Sequence, residues 1–420
     1  MGKTLFFLLL LVTLPLHGFA QEDAVDVYNQ GLEALKQDRL DEAIDLLSRA
    51  LQLDPQDHLA YNNRGVAYKR KGLLDKAIVD YSRALQIKPD YYFALANRGT
   101  ARFKKGDLDG SLQDLVEAAK QGKKEVVIVT TLGMVRKEKG DLDQAIKDLK
   151  QATTLAKKNP RAYHALGEIY ETQKDFSKAL EAYRKAEEST DHRESLVQLR
   201  AKIAALGTAY ALELHKQGLQ SYREGNENKA IAFWNQALKV DTNLVPAMRD
   251  RGLTYHKIGK HKQAVEDFDL AIQKDPTNAE LYRVRADAYY RMKQPDKALA
   301  NYSEALKFNQ NDAIAYNNRG LVYHEQSQLD KALEDYSRAI SIDPTNSIFL
   351  ENRGLIYAAK GSKDKAASDY REALKLTSEE SRRSLLQEKI NNMAQGSDSD
   401  GKLTPNQESS QRRLIEPSNP

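Results

Sequence analysis

The side chains that carry the most chemical information in this sequence are six arginines and the residues that follow them at a fixed distance. Arg64, Arg98, Arg251, Arg285, Arg319 and Arg353 are followed sixteen residues later by Asp80, Asp114, Asp267, Asn301, Asp335 and Asp369. Where Gln30, Leu132, Leu166 or Gln217 replaces the arginine, the later position holds Leu46, Asp148, Ala182 or Phe233. A guanidinium and a carboxylate that come and go together predict a charge-assisted pair. It would tie the helices of one unit, or of adjoining units, with the arginine stem laid along the core. The other use of such an arginine is to anchor a ligand. Catalytic groupings are missing: the chain has no glycine-rich phosphate loop, no HExxH and no GxSxG. Among the eight histidines, His256 and His261 come nearest to a metal pair, but they flank Gly259 with no carboxylate at helical spacing between them, and they read as a solvated loop. Without cysteine, thiolate catalysis, disulfides and Cys-ligated zinc are excluded. The expectation is a binder that is not an enzyme and uses no cofactor or metal.

Helices must position these pairs. In Ala313 to Asn346, Tyr316, Gly320 and Tyr323 share one face of a first helix, and Ala332, Tyr336, Ala339 and Ile340 share one face of a second, which Pro344 stops. Copies of this stretch recur every 34 residues. The alanine opening the second helix aligns as Ala43, Ala77, Ser111, Ala145 and Ala179, then Ala230, Ala264, Ala298, Ala332 and Ala366. The small residue of the first helix aligns as Gly31, Gly65, Gly99, Gly133, Gly167, Gly218, Gly252, Ala286, Gly320 and Gly354, implying that the paired helix passes too close for a Cβ. Large residues such as Tyr81, Trp234 and Tyr336 follow the alanine by four, and Gly72, Gly106, Gly140, Gly225, Gly259 and Gly361 stand at the turns, where a left-handed residue is needed.

This pattern resembles the tetratricopeptide repeat family, from about Ala24 to Glu380. The resemblance implies an all-α, right-handed superhelical solenoid of ten helix-turn-helix units in two arrays of five. The first array is 24–193, with repeats 24–57, 58–91, 92–125, 126–159 and 160–193. The second is 211–380, with repeats 211–244, 245–278, 279–312, 313–346 and 347–380. Residues 194–210, with Leu196, Leu199, Ile203 and Leu206 in a stripe, are predicted as a helix that caps the first array and connects it to the second. A second amphipathic helix, 379–394, should cover the exposed face of the last unit. In related repeats the first-helix face lines a concave groove. Asn29, Asn63, Asn97, Asn318 and Asn352 fall on it and resemble the asparagine ladder that grips peptide backbone in the repeat domain of O-GlcNAc transferase. Thr131, Ala165, Lys216, Asp250 and Val284 interrupt the series. Lys36, Arg70, Lys104, Arg223, Lys257 and Arg291 follow along that face, either making it basic and favouring an acidic peptide or complementing the helix dipole. The family's two-carboxylate clamp is not matched.

At the N-terminus one lysine, an apolar run from Leu5 to Leu14, and Gly18-Phe19-Ala20 predict a signal peptide over residues 1–20, hence export to a periplasmic or secreted location. The run is too short to span a bilayer, so no stable membrane anchor is expected. Sixty-four Lys and Arg against sixty Asp and Glu leave a net charge of +4, which with export argues against nucleic acid. Residues 395–420, rich in Ser, Asp, Asn and Pro, are predicted to be disordered. The functional expectation is a protein-interaction scaffold holding a peptide or protein segment in the groove, as part of an envelope or secretion complex. The alternatives are a regulator or subunit of an enzyme complex, or a periplasmic chaperone-like adaptor.

Overall fold

The computed structural model describes residues 23–122 and 124–395, and among them there are helices and short connections but no strand. The expected signal peptide and the expected tail past Gln395 lie outside the described residues. The chain forms two compact units that divide between Ala204 and Ala205.

In the first unit the helices come in pairs: α1 (Ala24–Lys36) with α2 (Leu40–Leu53), α3 (His58–Arg70) with α4 (Leu74–Ile87), α5 (Tyr92–Lys105) with α6 (Leu108–Gln121), α7 (Val126–Glu138) with α8 (Leu142–Leu155), and α9 (Pro160–Thr172) with α10 (Phe176–Glu188). The start of α11 (Arg193–Arg223) ends this unit. In the second, the later part of α11 packs on α12 (Glu227–Val240). Then come α13 (Val245–Lys257) with α14 (His261–Lys274), α15 (Ala279–Arg291) with α16 (Pro295–Phe308), α17 (Ala313–Glu325) with α18 (Leu329–Ile342), and α19 (Ser347–Ala359) with α20 (Lys363–Leu376). Within each unit every pair packs on the next, a helical solenoid.

The local chemistry explains the boundaries. Asp57 accepts from the Leu59 and Ala60 amides to start α3, and Asp312 accepts from the Ala315 amide to start α17. Gly72 turns α3 into α4 with φ +77°, and five more glycines do the same. The remaining four turns adopt the same left-handed conformation with Asp38, Lys174, Lys293 and Ser327, side chains that cost about 1 kcal/mol there relative to glycine. The separate connecting helix expected over 194–210 is instead the first part of α11, 31 residues long, which runs on through the first helix of the sixth repeat. Nothing between Gly207 and Lys216 breaks a helix: the segment has no proline and no left-handed residue.

The small position in the first helix answers to a side chain, not to the partner's backbone. A Cβ built on Gly218 would lie 2.3 Å from the indole nitrogen of Trp234, which is fully buried. The large residue four after each alanine thus lies over the glycine of its own pair. At the far end α21 (Glu380–Gln395) buries Leu386 and Ile390 against Leu350, Tyr370 and Ala373. Two cations of α21 fix its register, because the Glu351 carboxylate accepts from Arg382 Nε at 3.2 Å and from Lys389 Nζ at 3.0 Å. Lys389 is buried, so Glu351→Ala should strand its charge, at about 3 kcal/mol. Amide exchange across α21 should then quicken before that of α15 to α18; unchanged protection of α21 would refute this role.

Candidate functional site

Each of the six arginines spans two repeats. Arg319 donates from Nε and Nη2 to the two carboxylate oxygens of Asp335, at 2.9 and 2.8 Å, and from Nη1 to Ser303 Oγ of the preceding pair at 3.1 Å. Arg64 repeats this with Asp80 and Ser48, Arg98 with Asp114 and Ser82, and Arg353 with Asp369 and Ser337. Arg251 uses Asp267 and Asn235, while Arg285 reverses the order, meeting Asn301 in its own pair and Asp269 in the one before. The guanidinium of Arg319 also lies over the rings of Tyr316 and Tyr323. Burial pushes the Asp335 and Asp267 carboxyls above their usual range, with the facing arginines pulling the other way. Asp148, whose repeat has Leu132 in place of the arginine, is met by Arg136, one helical turn further along α7. These groups are all consumed in holding repeats together.

The earlier partner was also written in the sequence. Sixteen residues before each arginine stand Ser48, Ser82, Asn235, Asp269, Ser303 and Ser337, whereas Leu132 and Leu166 are preceded by Val116 and Lys150.

The asparagines expected to line a groove divide between the units. In the second, Asn318 and Asn352 are only 1 and 2 % exposed. The Asn318 amide donates to Asp287 Oδ1 at 3.0 Å and the Asn352 amide to Asn317 Oδ1 at 2.8 Å. Each amide donates to the first helix of the preceding repeat, and neither side chain stands open to solvent. The same face carries further buried polar contacts: His215 Nε2 with Asp250 Oδ2 at 2.8 Å, Arg249 with Asp250 and Glu280, and Arg283 with Asp312. Asp287, which also accepts from the Tyr302 hydroxyl at 2.5 Å, is held above the usual carboxylate range by burial. In the first unit the face is more open. Asn29 is exposed, and Asn63 and Asn97 are half-buried, donating to Tyr28 Oη at 2.9 Å and to Asn62 Oδ1 at 3.1 Å.

The basic residues are engaged unevenly. Lys36 lies 3.6 Å from Glu33, Arg70 donates to the Leu35 carbonyl at 2.9 Å, and Lys257 pairs with Glu227 at 3.1 Å over the Tyr222 ring. Arg291 acts on the pair His256 and His261, whose Nδ1 atoms are 3.2 Å apart, so the two rings touch across the turn instead of standing in solvent. Burial first, then His261 and Arg291, hold His256 down at about 3, a neutral ring. Among the described residues no cluster of three potential metal ligands occurs. Lys104 and Arg223 are exposed.

Sequence reasoning missed the apolar counterpart of this face. The second residue of each first helix in the first unit is Val25, Leu59, Phe93 and Val127, exposed by 61, 37, 45 and 63 %. These helices touch in succession, α1 to α3 to α5 to α7, so the four side chains form a stripe across them. In the fifth repeat the position passes to Arg161, on the edge of a cavity of about 540 Å³ lined also by Met134, His164, Glu168, Leu199 and Lys202. His164 and Lys137 hold Glu168 down at about 2, a fixed negative charge on that edge. In the second unit the corresponding residues are Leu212, Pro246, Glu280, Ile314 and Ile348, an apolar series broken by a charge. The signal legible in the sequence was a 34-residue recurrence of apolar residues one position after the helix start.

Sequence-family models agree with the repeat. Models described as tetratricopeptide repeat match residues 58–91 and 313–346, 160–190, and 349–380, and one described as TPR repeat matches 31–72, 133–174, 252–293 and 286–327. Together they cover more than half of the chain. Similar solved structures include MamA, 31 % identical over 38 % of this chain and 93 % of that one with a TM-score of 0.37. Others are MamA from Desulfovibrio magneticus, at 21 % over 40 and 94 % with 0.38, and yeast Tom70, at 16 % over 89 and 96 % with 0.40. No curated protein matches the sequence. The helix pairs, the left-handed turns and the matching models lead to one conclusion: the chain belongs to the tetratricopeptide repeat family.

Proposed function

We propose that this protein is a non-enzymatic interaction scaffold that holds an extended segment of a protein partner along the first-helix face of its first unit. The observation that carries this reading is the contrast between the two faces. One presents the unbroken series Val25, Leu59, Phe93 and Val127 to solvent; the other also exposes Leu212 and Ile314, but Glu280 breaks its series and its polar groups are buried in contacts of their own. Membership of a family that binds protein partners supports the same reading. The apolar run Leu5 to Leu14 followed by Gly18 and Ala20 supports export, and so a partner in an envelope or secretion complex.

The test is affinity selection of random, end-blocked dodecapeptides on the full chain. Peptides selected by the parent should bind Leu59→Glu or Phe93→Glu at least about tenfold more weakly, since a charge would be placed in an apolar contact. Ile314→Glu in the second unit should leave them unaffected. Selected peptides that ignore the first-unit changes would rule out this face.

A further inference from the structure

Lys69 and Tyr81 have no part in the repeat locks. Lys69 lies in the last turn of α3, with Nζ 2.7 Å from Asn97 Oδ1 of α5 and 5.9 Å from the centre of the Tyr81 ring of α4. An ammonium has three donors, and Asn97 takes one. The charged groups that bear on it are Arg70 on its own helix and Lys104 on α5, both cations, and among the described residues no carboxylate reaches it. Burial first, then Lys104 and Arg70, push Lys69 down to about 8.

Tyr81 adds an independent observation. Its hydroxyl is buried without a hydrogen-bond partner. The equivalent hydroxyl in the fifth repeat, Tyr183, donates to Glu171 at 2.8 Å, and Glu171 occupies the position that Lys69 occupies here. The equivalent in the eighth, Tyr302, donates to Asp287. The fifth and eighth repeats supply an acceptor from within the chain, whereas the Tyr81 hydroxyl, like that of Tyr336 in the ninth, has none, and only the second of these repeats puts a lysine where the fifth has Glu171.

We propose that an aspartate or glutamate side chain of the bound segment completes this site, its carboxylate accepting hydrogen bonds from Lys69 and the Tyr81 hydroxyl with Lys104 beside it. The proposal rests on the reading of the first unit as the binding face. Lys69 stands in the last turn of α3, ten residues after Leu59 and so about 15 Å further along the helix axis. A segment seated on Leu59 meets Lys69 by running along α3, and an extended dodecapeptide of about 40 Å does so with residues to spare beyond it, which calls for an acidic side chain instead of a chain terminus. The pH dependence has a definite sign. Lys69 must be protonated to hold a carboxylate, so affinity is full below about 8 and falls by about tenfold per unit as pH rises above it, until the pKa of the bound state is reached.

The peptides selected on the full chain provide the test, with both ends blocked so that no terminal carboxylate is present. They should be enriched in Asp or Glu near the centre. Changing that residue to its amide should weaken binding to the parent by at least about tenfold, yet cost nothing on Lys69→Met. Lys69→Met should also flatten the pH profile, while Lys69→Arg keeps the acidic preference and moves the fall in affinity beyond pH 10. Tyr81→Phe should weaken acidic peptides by about threefold at an unchanged melting temperature, because the hydroxyl has no partner in the free protein. If peptides bind through Leu59 and Phe93 without acidic preference, or Lys69→Met binds them as the parent does, the acid site is wrong and the groove stands. If peptides with free C-termini bind better than their blocked counterparts, the assignment to a side chain is overturned. If no peptide is selected, the groove reading itself falls.

Discussion

Arg319→Met is expected to lower the stability of the second unit by about 3–5 kcal/mol, the range seen when one partner of a buried ion pair is removed. Asp335 would stay in place, nearly inaccessible to water, with both oxygens stripped of their donors. Adding Asp335→Leu should recover most of that loss and bring the double variant to within about 1 kcal/mol of the parent, because two apolar chains can fill the same space without a stranded charge. Denaturant titration of the parent, both single variants and the double variant measures the coupling directly. Losses that simply add would mean that the two side chains stabilise the repeat independently.

Gly218→Ala should cost about 3 kcal/mol or more, through overpacking of a core that cannot yield. The added methyl would meet the Nε1, Cδ1 and Cε2 atoms of Trp234 at 2.3 to 2.8 Å, and that indole, fully buried, donates to the His215 carbonyl at 3.3 Å. Displacing it disturbs a ring contact and a hydrogen bond at once. Gly207 on the same helix is the control. A Cβ there meets only Val240, at 3.9 Å, so Gly207→Ala should stabilise the helix by about 0.5–1 kcal/mol. Thermal melts of the two variants should shift in opposite directions. Equal shifts would show that backbone flexibility, and not the indole, decides both.

The sequence carried most of the architecture because repetition makes weak local signals add. One glycine in a helix says little; Gly218 in phase with nine other small residues says that something large lies over it. The arginine and its later partner were legible for the same reason, since they recur at a fixed spacing and, apart from Asp148, are absent together. The short polar residue sixteen before each arginine, serine in four of the six, recurs as well and was passed over because only the later partner was sought. Burial was not legible. Asn97 and Asn318 occupy the same position of their repeats, yet Asn318 meets Asp287 on the preceding first helix and the adjacent Asn317, while Asn97 meets Lys69 at a half-open edge. Such differences depend on how close the preceding first helix lies and on what it carries, which neither period nor composition records. The desolvation of Lys69 belongs to the same class, for in sequence it is one basic residue in the last turn of a helix.

The arginine that bridges two repeats also sets how the first unit would yield to a load. Arg64 and Arg98 rivet the second and third repeats to the ones before them. Leu132 and Leu166 leave the next two joints without such a rivet, held by apolar packing and by the half-exposed pairs Lys139 with Asp109 and Lys137 with Glu168. Packing contacts slide at modest cost, whereas each riveted joint must first break the charge-assisted hydrogen bond from the guanidinium to Ser48 or Ser82. The first unit should thus be stiffer where Leu59 and Phe93 lie than beyond Val127. A partner pulled along it would find a firm seat at one end and a yielding one at the other.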